Sequence, residues 1–453
     1  MLQLTKRTEY GLIALVHLVD RRGEFVSARE IGDAYQVPRR LLAEVLKELS
    51  RADLLDSQRG ATGGYSLTRD PQAVTVAEAV RVLEATPSAE DSACETAGWS
   101  SCDLVSTCPI KTPIERLRAG IWGLLKQTTL RDLATQVRDR FHTPGQATWL
   151  IMAIVNYTNV CVARCDYCAF YRFPGAPDTY LLSTEQVFQK IDQLVSHGGT
   201  MVGYNGGFHP DLGVSHYTDL FAKVRARYPE LSFYEMTVAE FMFVAKRSKR
   251  PYDDVAREFA DSGTAWITGG GAEVLDDAFR LRHSPGKYKV EDFYDAQRAI
   301  LDAGMGSTAT MVIGFDETLD ERMNHLMRLR EFQDSVDGRL TSFLCWTYKP
   351  YNTEAGGEEV SLREYLRWMA LCRIALDNFV HLRTSVLTRN ADALQGLAWG
   401  ANDFDLPTED EVTQKAGATI SHAFEDVLAS GRDLGYRLVY RAPFPKGPGQ
   451  PTR

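Results

Sequence analysis

The chain has 453 residues, 44% of them hydrophobic and 25% charged, with 51 Lys+Arg against 60 Asp+Glu and a formal net charge of −9. That is an ordinary globular composition, enough for about three average domains, or for one large barrel and a smaller companion. No apolar run approaches the ~20 residues that span a bilayer, and the opening Met-Leu-Gln-Leu-Thr-Lys-Arg-Thr-Glu lacks an apolar signal core, so neither membrane insertion nor secretion is expected.

Charge is divided unevenly. Residues 1–140 hold 19 basic and 19 acidic side chains, so the rest of the chain carries the whole net −9. An acidic second half argues against general nucleic-acid binding there, whereas a neutral first half can bind DNA if its bases cluster on one face. Eight cysteines fall as Cys94, Cys102, Cys108, then Cys161, Cys165, Cys168, then the singles Cys345 and Cys372. Two local triplets make a poor disulfide framework and a good pair of metal clusters, which places the chain in a reducing cytoplasm.

The first predicted helix, Arg7 to Asp20, carries Leu12, Ile13, Leu15, Val16 and Val19 at helical spacing. Ser27 precedes a short helix to Tyr35, with Glu30 three residues on as a capping box. After a break at Gln36-Val37-Pro38, a third helix runs from Pro38 to Ala52 with Leu41, Leu42, Val45, Leu46 and Leu49 on one face. Helix, turn, helix places Arg39 and Arg40 at the start of the second helix of the pair, where base and phosphate contacts are made. Ser57 to Leu67, with Arg59, Gly60, Gly63, Gly64 and Tyr65, reads as a tight β-hairpin wing. Arg39, Arg40, Arg59 and Tyr65 are therefore the expected DNA contacts. Cys94, Cys102 and Cys108 follow in a polar loop, and Pro113 to Arg140 is one long amphipathic helix through Ile114, Leu117, Ile121, Leu124 and Leu125.

The strings "LTKRTEYGLIAL", "RGATGGYSL", the triple cysteine ending in Cys-Pro, and "IERLRAGIWGLLKQTTLRDLA" resemble Rrf2-type winged-helix regulators. The resemblance implies an iron–sulfur cluster on Cys94, Cys102 and Cys108, dimerisation through the long helix, and an acidic fourth ligand from the partner's first helix, the place Glu9 occupies.

Residues 141–147, Phe-His-Thr-Pro-Gly-Gln-Ala, form a turn-rich boundary between domains expected at 1–140 and 141–453. Beyond it, strand-like runs at Trp149–Val155, Gly199–Tyr204, Leu231–Met236, Thr264–Thr268, Ser307–Ile313, Thr341–Trp346 and Phe379–Leu387 alternate with helical ones. The helices are expected at Thr184–His197, Tyr217–Tyr228, Val290–Ala303, Leu319–Val336 and Leu362–Asp377. That rhythm predicts an α/β fold, a parallel (β/α) barrel preceded by the mostly α winged-helix domain.

Residues 161–168 read Cys-Val-Ala-Arg-Cys-Asp-Tyr-Cys and fall just after the first strand, at the rim where barrel chemistry is sited. Three thiolates hold three corners of a 4Fe–4S cube and leave the fourth iron open to chelate S-adenosylmethionine. Structural zinc is the weaker reading, because no second Cys or His pair follows at finger spacing. Tyr167 before the third cysteine and Phe170 after it complete the pattern of the radical-SAM enzymes. The strings "VNYTNVCVARCDYCAFYR", "GGFHPDLG", "GGGAEVL", "TATMVIGFDETLDERMNHL", "FLCWTYKPYNT" and "WGANDFDLPTEDEV" resemble, within that superfamily, the branch of dehypoxanthine futalosine cyclases, aminofutalosine synthases and deazaflavin synthases.

Glycines Gly206 and Gly207 remove side chains where the methionine part of S-adenosylmethionine approaches and leave their backbone amides free for it. Gly269-Gly270-Gly271 with Glu273 repeats the device, adding a carboxylate able to bind a ribose hydroxyl or accept a proton. Glu240, Glu273 and His209 are the expected catalytic residues. Asn156, Tyr167, Phe170, Gly206, Gly207 and Thr237 are expected around the cofactor, Tyr157, Thr158 and Asp211 on the same rim, and Arg282 and Lys287 opposite a substrate carboxylate. Around the third strand the family's usual His-x-x-Ser-Pro-x-Glu is replaced by Tyr234-Glu235-Met236-Thr237-Val238-Ala239-Glu240. Phe315 stands where His is usual, and Tyr204-Asn205 precede the glycine pair in place of the usual Leu-Gln.

The resemblance implies hydrogen abstraction and radical cyclisation of a nucleoside-like substrate, most like dehypoxanthine futalosine in menaquinone synthesis, with a flavodoxin or ferredoxin as electron donor. The alternatives are a paralogue acting on another nucleoside or aryl metabolite, or a regulator whose barrel senses S-adenosylmethionine or a metabolite. Cys345 and Cys372 read as buried small apolar residues.

Overall fold

A computed structural model describes residues 6–21, 23–35, 37–58, 60, 63–69, 74–83 and 129–441. Contacts divide the chain into two units, Met1–Leu133 and Ala134–Arg453.

In the first unit the expected helices form as Lys6–Asp20, Ala28–Ala34 and Arg39–Arg51. The third buries Leu42, Val45, Leu46 and Leu49, an i, i+3, i+4, i+7 stripe, in one cluster with Ala14, Leu15, Leu18 and Leu83. Each such side chain contributes roughly 1.5–3 kcal/mol of burial. Ser27 caps the second helix by accepting from the Glu30 N–H (3.1 Å), but the Glu30 carboxylate pairs with Arg21 (2.6 Å). Only the serine half of the expected capping box therefore forms. The wing is an antiparallel pair, β1 (Leu55–Gln58) and β2 (Gly64–Leu67), with Leu55 opposite Leu67. Cys94, Cys102, Cys108, Arg59 and the side chain of Glu9 lie outside the described residues, as does the expected long helix up to residue 128. Leu130–Asp139 is helical.

The second unit is a ring of parallel strands: β3 (Gln146–Val155), β4 (Met201–Tyr204), β5 (Ser232–Tyr234), β6 (Met236–Thr237), β7 (Trp266–Thr268), β8 (Gly306–Ile313), β9 (Leu340–Thr347), β10 (His381–Thr384) and β11 (Asp403–Asp410). β5 and β6 are one extended run interrupted at Glu235. Its first half pairs with β4 and its second with β7, which brings the sheet round on itself. Glu235 bridges the interruption: its N–H donates to Trp266 O (3.0 Å), and its buried carboxylate pairs with Arg225 (3.0 Å). A further strand, β12 (Arg437–Tyr440), pairs with the opening half of β3.

β3 reads as a near-continuous apolar run from Trp149 to Val155 because both faces are covered, whereas β8 is buried along nearly its whole length with Ser307, Thr308 and Thr310 inside. Helices Thr184–Ser196, Val238–Arg247 and Leu319–Ser335 each start with a full capping box, from Ser183/Gln186, Thr237/Glu240 and Thr318/Glu321. Two expectations change. Phe379–Leu387 is strand only over His381–Thr384, because Ser385 caps a helix, Val386–Arg389. Asp403–Asp410, not expected as a strand, is a central one: its polar sequence and Pro407 hide it, and a bulge between Pro407 and Glu409 accommodates the proline.

Gly306 lies opposite Trp266 in register, and a Cβ there would stand 2.3 Å from the indole ring. Gly306→Ala is expected to cost about 1–3 kcal/mol, read as a lower midpoint in thermal denaturation of the whole chain.

Candidate active site at the barrel mouth

The parallel strands aim all their carboxyl ends at one rim, where a cavity of about 300 Å3 opens. Cys161, Cys165 and Cys168, on the loop after β3, all line it and form no disulfide. The loop is held by groups from elsewhere in the barrel. Val162 N–H donates to Phe208 O (3.1 Å) and Asp166 N–H to His283 O (3.1 Å). The Asp166 carboxylate pairs with His283 Nδ1 (3.0 Å), and Arg164 and Tyr171 both reach Glu354 (3.2 and 2.9 Å).

The three thiols fit the iron–sulfur cube, and the one acid between them, Asp166, is turned to His283. Among the described residues no group of three His, Cys, Asp or Glu is drawn tightly enough to hold a single metal ion. A cube needs no such group, since each thiolate binds a different iron. Burial pushes the Cys168 thiol up to about 12, with the neighbouring Cys165 adding to it, so ionisation of these thiols depends on a bound metal. Cys345 and Cys372 are buried on β9 and on helix Leu362–Ala375 and do not line the cavity.

Gly206 and Gly207 also line the cavity, but their amides are not free. Gly206 N–H donates to Glu240 Oε1 (2.9 Å) and Gly207 N–H to Thr158 O (3.0 Å). The missing side chains serve the protein's own packing: a Cβ on Gly207 would lie 2.2 Å from Val160 O and 2.8 Å from Cys161 Cβ. Glu240, expected as catalytic, lines the cavity with four protein donors on its carboxylate. Oε1 accepts from Tyr157 Oη (2.5 Å) and Gly206 N–H, and Oε2 from Thr237 N–H (3.0 Å) and Thr237 Oγ1 (2.6 Å). Burial raises its pKa against those hydrogen bonds.

Glu273, in the left-handed region at φ 44°, meets Lys287 (3.3 Å) and Arg280 (3.5 Å) at the cavity wall. Burial pushes its carboxyl up, but the two cations outweigh that and hold it below its usual range. Tyr167, Phe170 and Thr237 line the cavity as expected. Phe315 lies behind Tyr167 (ring centroids 5.3 Å) and against Tyr348 (4.4 Å), so an aromatic stack stands where an imidazole was usual.

Five expected residues are engaged with other protein groups. His209 is outside the cavity lining, its Nδ1 accepting from the Asp211 N–H (3.2 Å) on the same loop; Asp211 is outside it too. Asn156 is buried behind the lining, where it donates to Asn205 O (2.9 Å) and accepts from Glu411 N–H (2.6 Å). Arg282 pairs with Glu321 and Asp316 and does not face a ligand. Tyr65 packs its ring against the small N-terminal core. Arg39 is tied to Asp33 (2.8 Å), while Arg40 is 96% exposed, with Glu44 at 3.6 Å. The sequence pattern singled out none of Thr347, Arg383, Thr388, Asp410 and Thr413 on the β9–β11 side of the cavity; the strings "FLCWTYKPYNT" and "WGANDFDLPTEDEV" hold Thr347 and Asp410.

Gly207→Ala is expected to push the cysteine loop off Val160. The variant should stay folded by circular dichroism but show weaker visible absorption per chain after anaerobic iron–sulfide reconstitution.

The Rrf2 family, iron-dependent transcriptional regulators, matches residues 4–136, the radical SAM superfamily 155–329, and the CofH/MqnC C-terminal region 338–443. The cyclic dehypoxanthine futalosine synthase of Halalkalibacterium halodurans is 35% identical over 305 residues, covering 67% of this chain and 82% of the relative. The aminodeoxyfutalosine synthase of Thermus thermophilus is 30% identical over 299 residues, covering 64% and 79%. Methylornithine synthase shares the barrel fold at a TM-score of 0.52 and 15% identity, covering 68% of this chain and 88% of that one. The chain belongs to the radical-SAM enzymes of the cyclic dehypoxanthine futalosine synthase family, which use a 4Fe–4S cluster and S-adenosylmethionine, and it carries an Rrf2-type iron–sulfur regulator domain ahead of the barrel.

Proposed function

We infer that residues 141–453 catalyse the radical cyclisation of dehypoxanthine futalosine in menaquinone synthesis, and that residues 1–140 form a DNA-binding regulator module with its own cluster on Cys94, Cys102 and Cys108. The observation that carries this reading is the convergence of Cys161, Cys165 and Cys168 on one barrel-mouth cavity, in a chain 35% identical to a named cyclase.

When bound, a cluster with one open iron supplies one-electron cleavage of S-adenosylmethionine to methionine and a carbon radical that takes a hydrogen atom. The protein's part is position and exclusion of water. Tyr167, Phe170, Gly206, Gly207 and Thr237 form the wall for S-adenosylmethionine. Glu240, within that wall, and Asn156, behind it, hold its loops in place. Glu273, kept ionised by Lys287 and Arg280, is the carboxylate at the wall that accepts a hydrogen bond from a ribose hydroxyl. A flavodoxin- or ferredoxin-like donor supplies the electron, and the chain works in the cytoplasm as a dimer joined through residues 113–140.

The triple variant Cys161→Ala, Cys165→Ala, Cys168→Ala is expected to keep the visible absorption of the N-terminal cluster and to make no 5′-deoxyadenosine. The intact protein, given dehypoxanthine futalosine, S-adenosylmethionine and a strong reductant, should consume the nucleoside with one 5′-deoxyadenosine per turnover. Abortive 5′-deoxyadenosine without consumption would instead favour a paralogue whose pocket is reshaped at Tyr204, Tyr234 and Phe315.

For the N-terminal module, Arg40→Ala should weaken binding to DNA selected from the genome by the anaerobic protein. The slope of log affinity against log salt should fall by roughly one. Failure to enrich any sequence would turn the reading toward electron relay.

A further inference from the structure

The cations that line the cavity are already paired. Lys287 meets Glu273 (3.3 Å), Lys349 meets Glu359 (2.7 Å), and Arg383 is paired with Asp405. Two carboxylates on the wall have no cation; Glu240 is satisfied by four neutral donors instead, and Asp410 is not. Asp410, at the end of β11 and 2% exposed, makes no ion pair among the described residues. Its Oδ2 accepts from Thr413 Oγ1 (2.6 Å), and its Oδ1 is buried with no hydrogen-bond partner among the described residues. Asn156 stands beside it with one amide N–H on Asn205 O (2.9 Å), and adds a smaller hydrogen bond to the carboxylate, as do the Thr413 and Val412 amides. Nearby charges are engaged elsewhere: Glu411 with the Tyr180 hydroxyl (2.9 Å) and Glu409 with Lys190.

A second orphan lies on the same side of the rim. Thr347, at the end of β9 and also 2% exposed, lines the cavity with an Oγ1 that has no partner, while its N–H donates to Thr388 Oγ1 (3.3 Å). Buried polar atoms are mostly satisfied, so this acceptor and this hydroxyl, on one arc of the cavity, mark where a ligand completes the set. One is a pure acceptor and the other both donor and acceptor, and adjacent hydroxyls of a sugar match that pair. The cysteine loop is held from the β4, β7 and β9 loops, and Asp410 and Thr347 line the same cavity at the ends of β11 and β9.

We propose that Asp410 and Thr347 form a sugar-binding subsite on the β9–β11 arc, in which the Asp410 carboxylate accepts hydrogen bonds from substrate hydroxyls and Thr347 orients the same ring. This deepens the inferred nucleoside cyclisation and rests on that reading for the identity of the sugar carrier. Burial pushes the Asp410 carboxyl up to about 6, against hydrogen bonds from Thr413, Asn156 and the Val412 amide. A hydroxyl donor therefore stabilises the ionised form where no protein cation does.

The test measures binding by the whole anaerobic protein. Dehypoxanthine futalosine is titrated calorimetrically into the parent, Asp410→Asn and Thr347→Val. In parallel, methyl β-ribofuranoside at millimolar concentration is followed by saturation-transfer NMR, because it carries the sugar without the rest of the nucleoside. The expected result is a roughly 10- to 100-fold weaker futalosine affinity in Asp410→Asn, a smaller loss in Thr347→Val, loss of ribofuranoside transfer in both, and unchanged S-adenosylmethionine affinity. Equal futalosine binding by parent and variants overturns the subsite and leaves the cyclase reading standing. If the parent binds no futalosine, the cyclase reading falls. The ribofuranoside arm then decides alone: transfer lost on Asp410→Asn supports the subsite, and transfer absent or unchanged overturns it. A lowered S-adenosylmethionine affinity in Asp410→Asn would assign the residue to the cofactor and overturn the proposal.

Discussion

The buried carboxylate of Glu240 holds three rim loops in register: the one after β3 through Tyr157, the one after β4 through Gly206, and its own after β6 through Thr237. A buried carboxylate without donors would be strongly unfavourable, so the three loops must arrive together for any of them to be satisfied. The cysteine loop follows directly from Tyr157 and rests on Gly207, so its position is inherited from this knot. The same residue starts helix Val238–Arg247 through a capping box, which ties the knot to the outer layer as well. Removing one partner would leave the others unpaired, which makes the arrangement cooperative.

Charge in the second unit is handled in the same way, by internal pairing. Lys287, Arg280 and Glu273 sit together under the cysteine loop, with Arg280 over the Tyr288 ring at 3.7 Å. Deeper in the barrel, Arg383 and Arg441 face Asp403 and Asp405. Pairs of this kind contribute little net stability, since desolvation offsets attraction. They do make it costly for the strands to shift, because an ill-placed strand would bury an unpaired charge. A cavity whose cations are all neutralised discriminates by hydrogen bonding and by shape.

The first unit depends on a thinner margin. Among the described residues its core is one small cluster of Leu, Val, Ile and Ala side chains, and its helices are joined by surface ion pairs such as Arg21–Glu30 and Arg39–Asp33. Exposed pairs of that type are each worth about 0–1 kcal/mol. The Arg39 pair has a functional side: an arginine already facing an aspartate carries less net charge toward a phosphate than Arg40 does.

By itself, the sequence determined everything that depends on residues close together in the chain. The spacing of Cys161, Cys165 and Cys168 defines a ligand set whatever the fold around it. The apolar stripe of Arg39–Arg51, the cap at Ser27 and the apolar run of β3 follow from local pattern. Tertiary structure alone decided which polar groups meet. The Asn156 side chain accepts from the Glu411 amide 255 residues away, and Tyr157 donates to Glu240 at a separation of 83; no local pattern encodes those contacts. Asp403–Asp410 becomes a strand because β10 and β3 leave a place for it, against its own polar composition and its proline. His209 and Arg282 had suitable chemistry, yet the fold gave them partners away from the cavity. Asp410, an ordinary acidic residue in a polar string, became a buried acceptor because the end of β11 carries it into the cavity wall and leaves one of its oxygens without a partner.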